Sequence, residues 1–315
     1  MVPRLQIAFP FHYQKDYWFG KPYSAAENEF LLNHARSGIL LALKAADLPA
    51  GAGVGVMIYN CHTVANAIEQ AGFCPVFLDV TEGLKLELED LTRKADGISA
   101  LVVTHLFGIV NEVKAIRQMY PNMIIIEDCA HAYGIKELNG DFAVFSIGQG
   151  KNPSIGDGGI IKVLNNRYLQ NAENIFRVLP EYTWGQRMKL FCKLLGKAMM
   201  YHPWVYGWLT LPLKRKRPVQ SGKETIIPRK MCCGIRNIYR IEKEKVIPRD
   251  AFMQVIYCNN PEEEKESYRR KGIDTDTHFG HSIQWAREFG YEFGDCPNAE
   301  KLVNHLLMVP NYFNR

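Results

Sequence analysis

The sequence has no apolar run long enough to span a membrane, and its N-terminus does not resemble a secretory leader. The opening segment MVPRLQIAFPFHYQKDYWFG lacks the short apolar core and the small-residue cleavage site of such a leader. No later segment approaches ~18 consecutive apolar residues. We therefore expect a soluble protein of the cytoplasm.

The sequence also lacks the cysteine patterns of a metal site or of a redox motif. Its eight cysteines include no C-x-x-C pair and no Cys/His spacing typical of zinc. The acidic and histidine-containing run 274–281 falls in a predicted turn, so we interpret it as a solvated or substrate-facing loop. We expect reduced thiols, as in the cytoplasm, and no metal.

No basic stripe of the kind that binds nucleic acid is present. The formal net charge is +5, and the densest cationic run is Lys214-Arg215-Lys216-Arg217, which has no interleaved aromatic residues. Nucleic acid is therefore not a predicted partner.

Two common nucleotide-binding fingerprints are absent as well. The glycines of 51–55 precede an apolar strand-like segment, whereas a dinucleotide fingerprint follows one. Gly150-Lys151 is followed by Asn152, and Phe145 stands where a phosphate loop has its first glycine. Neither a dinucleotide-binding nor a P-loop function is expected.

What the chain does have is the composition of a globular protein with two lobes. It contains 315 residues, of which 47% are hydrophobic and 23% are charged. A single core has usually stopped growing at this length. We predict a large domain over 1–215 and a smaller one over 216–315, with a cleft between them.

Strand-like and helical segments alternate from about residue 24 to 165, which predicts a mainly parallel sheet with helices on both faces. The predicted strands are 54–59, 75–80, 100–105, 123–128, 142–147 and 159–163. The predicted helices are 25–46, 63–71, 87–95 and 110–119. In such sheets ligands bind beyond the carboxyl ends of the strands. Later in the chain, helical patches are predicted near 240–270 and 298–306.

The segment 178–225 is aromatic and basic and does not continue the alternation. Residues 186–200 place apolar side chains at helical spacing among lysines and arginines. We favour a helix packed on the core or on a second subunit over membrane-surface contact by 186–217.

An aspartate and a lysine, 128 and 151, follow successive strands of the predicted sheet. A buried lysine amine forms a Schiff base readily, and a strand-end carboxylate suits a protonated pyridine nitrogen. The same pattern also fits two residues without a catalytic role. A lysine after a glycine-rich bend is often a surface charge, and a strand-end acid often caps a helix. Spacing alone leaves both interpretations open.

The amino-acid sequences of these segments resemble motifs of a known family. EDCAHA (127–132), FSIGQGKN (145–152) and GDGG (156–159) are similar to motifs of the DegT/StrS nucleotide-sugar aminotransferases. Arg36-Ser37-Gly38-Ile39 resembles that family's SGT-A loop, and similar segments occur at 66–79 and 103–108. The resemblance covers roughly residues 30–165, and a weaker resemblance occurs near the C-terminus.

This resemblance implies a fold and a set of site residues. The fold would be the three-layer αβα PLP-transferase fold, aspartate aminotransferase-like (fold type I), with a smaller C-terminal α+β domain. Pyridoxal 5'-phosphate would be the cofactor. The implied roles are a Schiff-base lysine and proton carrier (Lys151), a partner of the pyridinium (Asp128), a residue beside the ring (His131), and phosphate ligands (Gly38, Ile39 and Ser146).

The sequence departs from the family pattern in two places. Where relatives stack an aromatic residue on the pyridine, this chain has Cys61 followed by His62; either could cover the ring, and His62 could equally cap the next helix. Where relatives supply an asparagine to the neighbouring subunit's phosphate, this chain has Cys232 or Cys233.

The implied activity is transfer of an amino group from glutamate to a nucleotide-linked keto sugar, for cell-surface polysaccharide or amino-sugar biosynthesis, in a homodimer. One alternative is a sugar dehydratase of the same fold, which has a histidine in place of the lysine. The other is a catalytically weakened, cofactor-binding regulator.

Overall fold

The computed structural model describes residues 1, 3, 13–212, 221–245, 253–277 and 279–310. The predicted domain boundary at 215/216, the basic run 214–217 and His278 lie outside these residues. None of the helices in the described part combines the length and the hydropathy needed to cross a membrane.

A seven-stranded sheet forms the centre of the molecule. Its strands, in chain order, are β1 (Glu29–Leu32), β2 (Gly53–Met57), β3 (Cys74–Leu78), β4 (Ala100–Thr104), β5 (Ile124–Asp128), β6 (Phe142–Ser146) and β7 (Gly159–Val163). Their order across the sheet is β1-β7-β6-β5-β4-β2-β3, and β7 alone runs against the other six. The mainly parallel sheet predicted from the sequence is confirmed.

Helices cover both faces of this sheet, which makes three layers. The helices are α1 (Gln14–Phe19), α2 (Ala35–Ala45), α3 (His62–Ala71), α4 (Leu88–Lys94), α5 (Val113–Met119), α6 (Leu169–Arg177), α7 (Trp184–Met200), α8 (Cys233–Glu242), α9 (Pro261–Arg270), α10 (Ser282–Arg287) and α11 (Pro297–Leu302). Successive β6 residues alternate between two cores: Phe142 belongs to the core under α2, and Ala143 to the core under α7 and α8. The predicted αβα architecture is confirmed.

The prediction of one continuous helix over 25–46 was wrong. Residues Glu29–Leu32 form edge strand β1, paired antiparallel with β7, and the helix begins only at Ala35. The strand is four residues long and its three apolar residues are consecutive, so it shows no period of two that would separate it from the helical pattern that follows.

A smaller α+β unit follows late in the chain. The strands β8 (Met253–Tyr257) and β9 (Leu306–Pro310) pair antiparallel, with α9, α10 and α11 between them in sequence. The helical prediction for 240–270 therefore missed β8. Residues of α8 still pack against the large sheet, beside Tyr17 and Phe145.

Candidate active site

A cavity of about 480 Å³ opens at the carboxyl ends of β2, β4, β5 and β6. This is the edge at which open α/β sheets bind ligands, and the volume is typical of a cofactor-sized pocket. The lining includes seven of the eight predicted site residues: Ile39, Cys61, His62, Asp128, His131, Ser146 and Lys151. Gly38 is not among the lining residues.

Lys151 reaches the cavity because the chain turns sharply after β6. Gly150 has φ +73°, a conformation that favours glycine, and its N–H donates to the hydroxyl of Ser154 at 2.8 Å. Burial lowers the pKa of the Lys151 amine to about 8, against the weaker opposing effects of Cys61 and Asp128. The amine is therefore a far better nucleophile near neutral pH than an exposed lysine.

Asp128 ends β5 inside the same cavity and is buried. Its Oδ1 accepts the N–H of Ala130 at 3.0 Å, and its Oδ2 accepts the hydroxyl of Thr104 at 3.2 Å. The side-chain amide of Asn60 donates to that hydroxyl at 2.7 Å, which fixes its direction. Burial raises the pKa of Asp128, and the charge of Lys151 opposes the rise. A cationic ring nitrogen would stabilise the carboxylate in the same way.

Glu127, the neighbour of Asp128, serves a structural role on the other face of β5. Its Oε2 lies 3.0 Å from Nε2 of the fully buried His105, and its Oε1 accepts the N–H groups of Asn139 and Gly140, both at 2.6 Å. Successive strand residues point to opposite faces. Of the paired acids that end this strand, Asp128 is therefore the one that faces the cavity.

His131 is held in a defined orientation beside the cavity. Its Nδ1 accepts the backbone N–H of Phe107 at 3.1 Å, so a neutral ring carries its proton on Nε2. The ring is nearly parallel to Phe279, with an interplanar angle of 8° and centroids 5.9 Å apart. Both rings line the cavity that Lys151 also lines.

Cys61 and His62 both line the cavity, but the helix-capping alternative for His62 is not what the structure shows. Cys61 occupies the N-cap position of α3, and no side chain caps that helix end. The His62 ring meets Trp285 edge-on at a centroid distance of 4.6 Å, and burial lowers its pKa. Its Nδ1 has no hydrogen-bond partner among the described residues.

The phosphate end of the predicted site lies at Ser146 and the start of α2. Ser146, Ala35 and Arg36 line the cavity. Gly38 does not offer its backbone N–H, because that group donates to the carbonyl of His34 at 3.3 Å within the first helical turn. A Cβ on Gly38 would lie 3.0 Å from Val144, so this glycine serves close packing of α2 on the sheet.

A histidine and an aspartate that the sequence prediction missed form a second polar pair. Nδ1 of His34, which lines the cavity, lies 3.3 Å from Oδ1 of the buried Asp157. Burial lowers the pKa of His34 to about 3, helped by Arg36, Lys193 and Lys197. Burial raises the pKa of Asp157 to about 7. The imidazole is therefore neutral at physiological pH and can donate or accept a hydrogen bond. Asp157 belongs to the GDGG segment, and this motif is the sequence feature from which it could have been predicted.

Described residues before and after position 278 also line the cavity. They are Asp276, Thr277, Phe279, Gly280 and His281. The interpretation of this run as a solvated or substrate-facing loop stays a prediction. Among the residues that the structure describes, no group of three or more His, Cys, Asp and Glu side chains is arranged to hold a metal ion.

The cysteines at the second departure from the family pattern lie elsewhere. Cys232 is buried at the N-cap of α8, and its Sγ lies 3.4 Å from the hydroxyl of Tyr17. Cys232 and Cys233 line a separate cavity of about 350 Å³ rather than the one around Lys151.

Comparison with known proteins shows the family of the chain. Residues 21–197 match the model of the DegT/DnrJ/EryC1/StrS aminotransferase family. The chain is 25% identical over 253 residues to GDP-perosamine synthase of Escherichia coli O157:H7, covering 74% of this chain and 66% of that protein. It is 25% identical to the spore coat polysaccharide biosynthesis protein SpsC of Bacillus subtilis (strain 168), covering 93% of this chain and 84% of that protein.

Solved structures share the fold. The aminotransferase TlmJ from Streptoalloteichus hindustanus superposes with a TM-score of 0.71 at 16% identity, over 98% of this chain and 93% of that one. The PMP-form of a sugar aminotransferase, Spr1654 from Streptococcus pneumoniae, gives a TM-score of 0.70 at 12% identity, over 97% and 92% of the two chains.

Proposed function

Because the chain belongs to the DegT/DnrJ/EryC1/StrS aminotransferase family, we propose that its cavity binds pyridoxal 5'-phosphate and that it moves an amino group from glutamate to a nucleotide-linked keto sugar. The single observation that carries this proposal is the convergence of Lys151 and Asp128 on one cavity, where each affects the other's pKa.

The residues present fit the cofactor. Lys151 would be the amine that attaches it, Asp128 would be the carboxylate for its pyridine nitrogen, and the rings of His131 and Phe279 line the same cavity. Ser146 and the first turn of α2, at Ala35 and Arg36, suit its phosphate, since a helix N-terminus favours anions. Ile39 follows Gly38 within α2, so the backbone argument against Gly38 applies to Ile39 as well. When bound, the cofactor supplies an electron sink that stabilises negative charge on the substrate carbon.

Residues of the chain itself hold and move protons. With a pKa of about 8, roughly a quarter of the Lys151 amine is neutral at pH 7.5, which suits an amine that takes a proton from one carbon and returns it to another. Asp128 keeps the ring nitrogen protonated through its negative charge. The bond from Phe107 keeps His131 in one orientation throughout.

Three features support a sugar substrate that carries negative charge. Arg36 lines the cavity, where it is paired with Glu224 at 2.9 Å, and the charges of Lys193 and Lys197 reach His34. Neutral His34, held by Asp157, is suited to a sugar hydroxyl. Two relatives are named for sugar chemistry: GDP-perosamine synthase, and a UDP-N-acetyl-3-dehydro-alpha-D-glucosamine 3-aminotransferase of Acidithiobacillus ferrooxidans, 28% identical over 141 residues.

We place the protein in cell-surface polysaccharide or amino-sugar biosynthesis, as a cytoplasmic homodimer. The name of the Bacillus relative SpsC refers to polysaccharide biosynthesis. All eight cysteines are free, as expected for a reducing compartment. The dimer rests on the family resemblance, in which active sites lie at the subunit interface.

The test is amino transfer from ¹⁵N-glutamate, followed by mass spectrometry, to a panel of UDP- and GDP-linked keto sugars. We expect labelled amino sugar with the unmodified chain and none with Lys151→Ala. Lys44→Ala, which removes an exposed lysine of α2, is the matched control and should keep full activity.

The alternatives predict different products from the same mixture. A dehydratase would release a deoxy sugar without ¹⁵N, and a regulator would take up the cofactor without turnover. Either result would overturn the proposal.

A further inference from the structure

The segment that follows α7 presents an apolar face to solvent. Trp204 and Trp208 are 83% and 71% exposed, and Met199, Met200 and Leu209 are exposed beside them. We call these five residues the tryptophan face. Met199 and Met200 end α7, and Trp204, Trp208 and Leu209 lie in the short helical turn Pro203–Val205 and the π-helical turn Tyr206–Thr210 that follow it.

This face is held on an ordered element. The hydroxyl of Tyr206 donates to Oδ2 of Asp274 at 2.6 Å, and the hydroxyl of Thr210 donates to the carbonyl of Met200, also at 2.6 Å. Both side chains are buried and point inward. On α7 itself, Leu190, Leu194 and Ala198 are buried, as the sequence pattern predicted for a helix packed on the core. The opposite side is left uncovered by the described residues.

The sequence of this segment carries charge of one sign. Residues 182–222 contain eight lysines and arginines and no aspartate or glutamate. Lys189 and Lys193 are exposed on α7, on the helix that leads to the tryptophan face. Three of the five tryptophans of the chain lie in the same segment. Exposed tryptophan among lysines and arginines is the composition of helices that lie in a membrane interface.

We propose that the tryptophan face docks the protein on an anionic lipid surface. Phosphate headgroups complement the cationic segment, and tryptophan rings favour the headgroup level of a bilayer. A second copy of this chain is the less suitable occupant, because it would bring the same positive charge against itself. The sequence prediction favoured a packed helix over membrane-surface contact, and one side of α7 is packed, while its exposed side leads to the tryptophan face.

The test is co-sedimentation of the full chain with vesicles of phosphatidylcholine alone or mixed equally with phosphatidylglycerol. We expect binding to the mixed vesicles only, and loss of binding at high salt. The double variant Trp204→Ser/Trp208→Ser should partition about tenfold more weakly, since two large apolar side chains are removed from the interface.

Phe293→Ser is the matched control, because Phe293 is an equally exposed aromatic residue outside the segment, and it should bind as the unmodified chain does. Equal binding to neutral vesicles, no binding to either kind, or unchanged binding of the double variant would overturn the proposal. So would a fall in oligomer mass of the double variant, measured by light scattering, without any vesicle binding. The aminotransferase assay is independent of all these outcomes.

Discussion

At the scale of single residues, the chemistry depends on where burial puts two ionisable groups. Lys151 loses part of its affinity for a proton because its amine is surrounded by protein, and the pKa of Asp128 rises for the same reason. Each group is thereby prepared for a partner: the amine for a carbonyl carbon and the carboxylate for a cation. Neither effect is a property of the residue type alone.

The first prediction concerns the pH dependence of cofactor attachment. Because the Lys151 amine has a pKa of about 8, its neutral fraction rises about tenfold between pH 7 and pH 9 and then levels off. Stopped-flow absorbance should show the rate constant for attachment of pyridoxal phosphate following this curve. A rate that keeps rising past pH 10, as with free Nα-acetyl-lysine, would show that the amine is not perturbed.

The second prediction concerns Asp128. Asp128→Asn keeps the shape of the side chain but removes the charge that holds a ring nitrogen protonated. Amino transfer should fall by at least about a hundredfold, as when a preorganised electrostatic group is lost from other active sites. Covalent attachment at Lys151 should persist in this variant, as observed by absorbance. Near-normal turnover would contradict the proposed role of Asp128.

Much of the site could be predicted from the sequence because the motif residues lie directly after strands. Lys151, Asp128, His131 and Ser146 meet in one cavity for that reason. Phe279 could not be predicted, since it comes from a loop far along the chain that only the tertiary fold brings there. His34 was missed because the edge strand before it was interpreted as helix.

At the scale of elements, the close approach of β7 to the start of α2 holds the cavity together. A Cβ on Gly159 would lie 2.3 Å from the backbone of His34 and Ala35, and backbone atoms cannot rotate away. The bridge between His34 and Gly158 lies at the same place. Glycine is needed here for close contact between two backbones, which also positions the His34–Asp157 pair.

The third prediction tests this contact. Gly159→Ala should lower the free energy of unfolding by about 1–3 kcal/mol, the usual cost of overpacking. Gly196→Ala is the matched control: it lies within α7, its Cβ would meet nothing within 4 Å, and it should stabilise by about 0.5–1 kcal/mol through helix propensity. Urea unfolding of both variants measures the difference. Equal stability of the two would contradict the close-contact argument.

The same scale explains which elements the sequence could predict. Strands β4 and β5 are buried, β-branched runs between turn residues, and their predicted positions were correct to within a residue. Strands β1, β8 and β9 were missed because short, partly exposed or edge strands carry no clear period of two. Their pairing partners lie far away in the chain, so local pattern does not reveal them.

At the scale of the whole molecule, the seven-stranded sheet, its helical layers and the cavity at its strand ends form the fold that the motifs predicted. Family membership confirms the class of enzyme, an aminotransferase that uses pyridoxal phosphate. The domain division at 215/216 stays a prediction. The aromatic and basic segment after α6 extends beyond the residues that match the family model, 21–197, and its exposed side belongs to the docking proposal.

The central claim is that Lys151 is the amine that holds the cofactor. Its most direct measurement is borohydride reduction of the protein loaded with pyridoxal phosphate, followed by peptide mass mapping. The account predicts one stoichiometric phosphopyridoxyl group, on the peptide that contains Lys151. Attachment at other lysines, or no attachment at all, would contradict it.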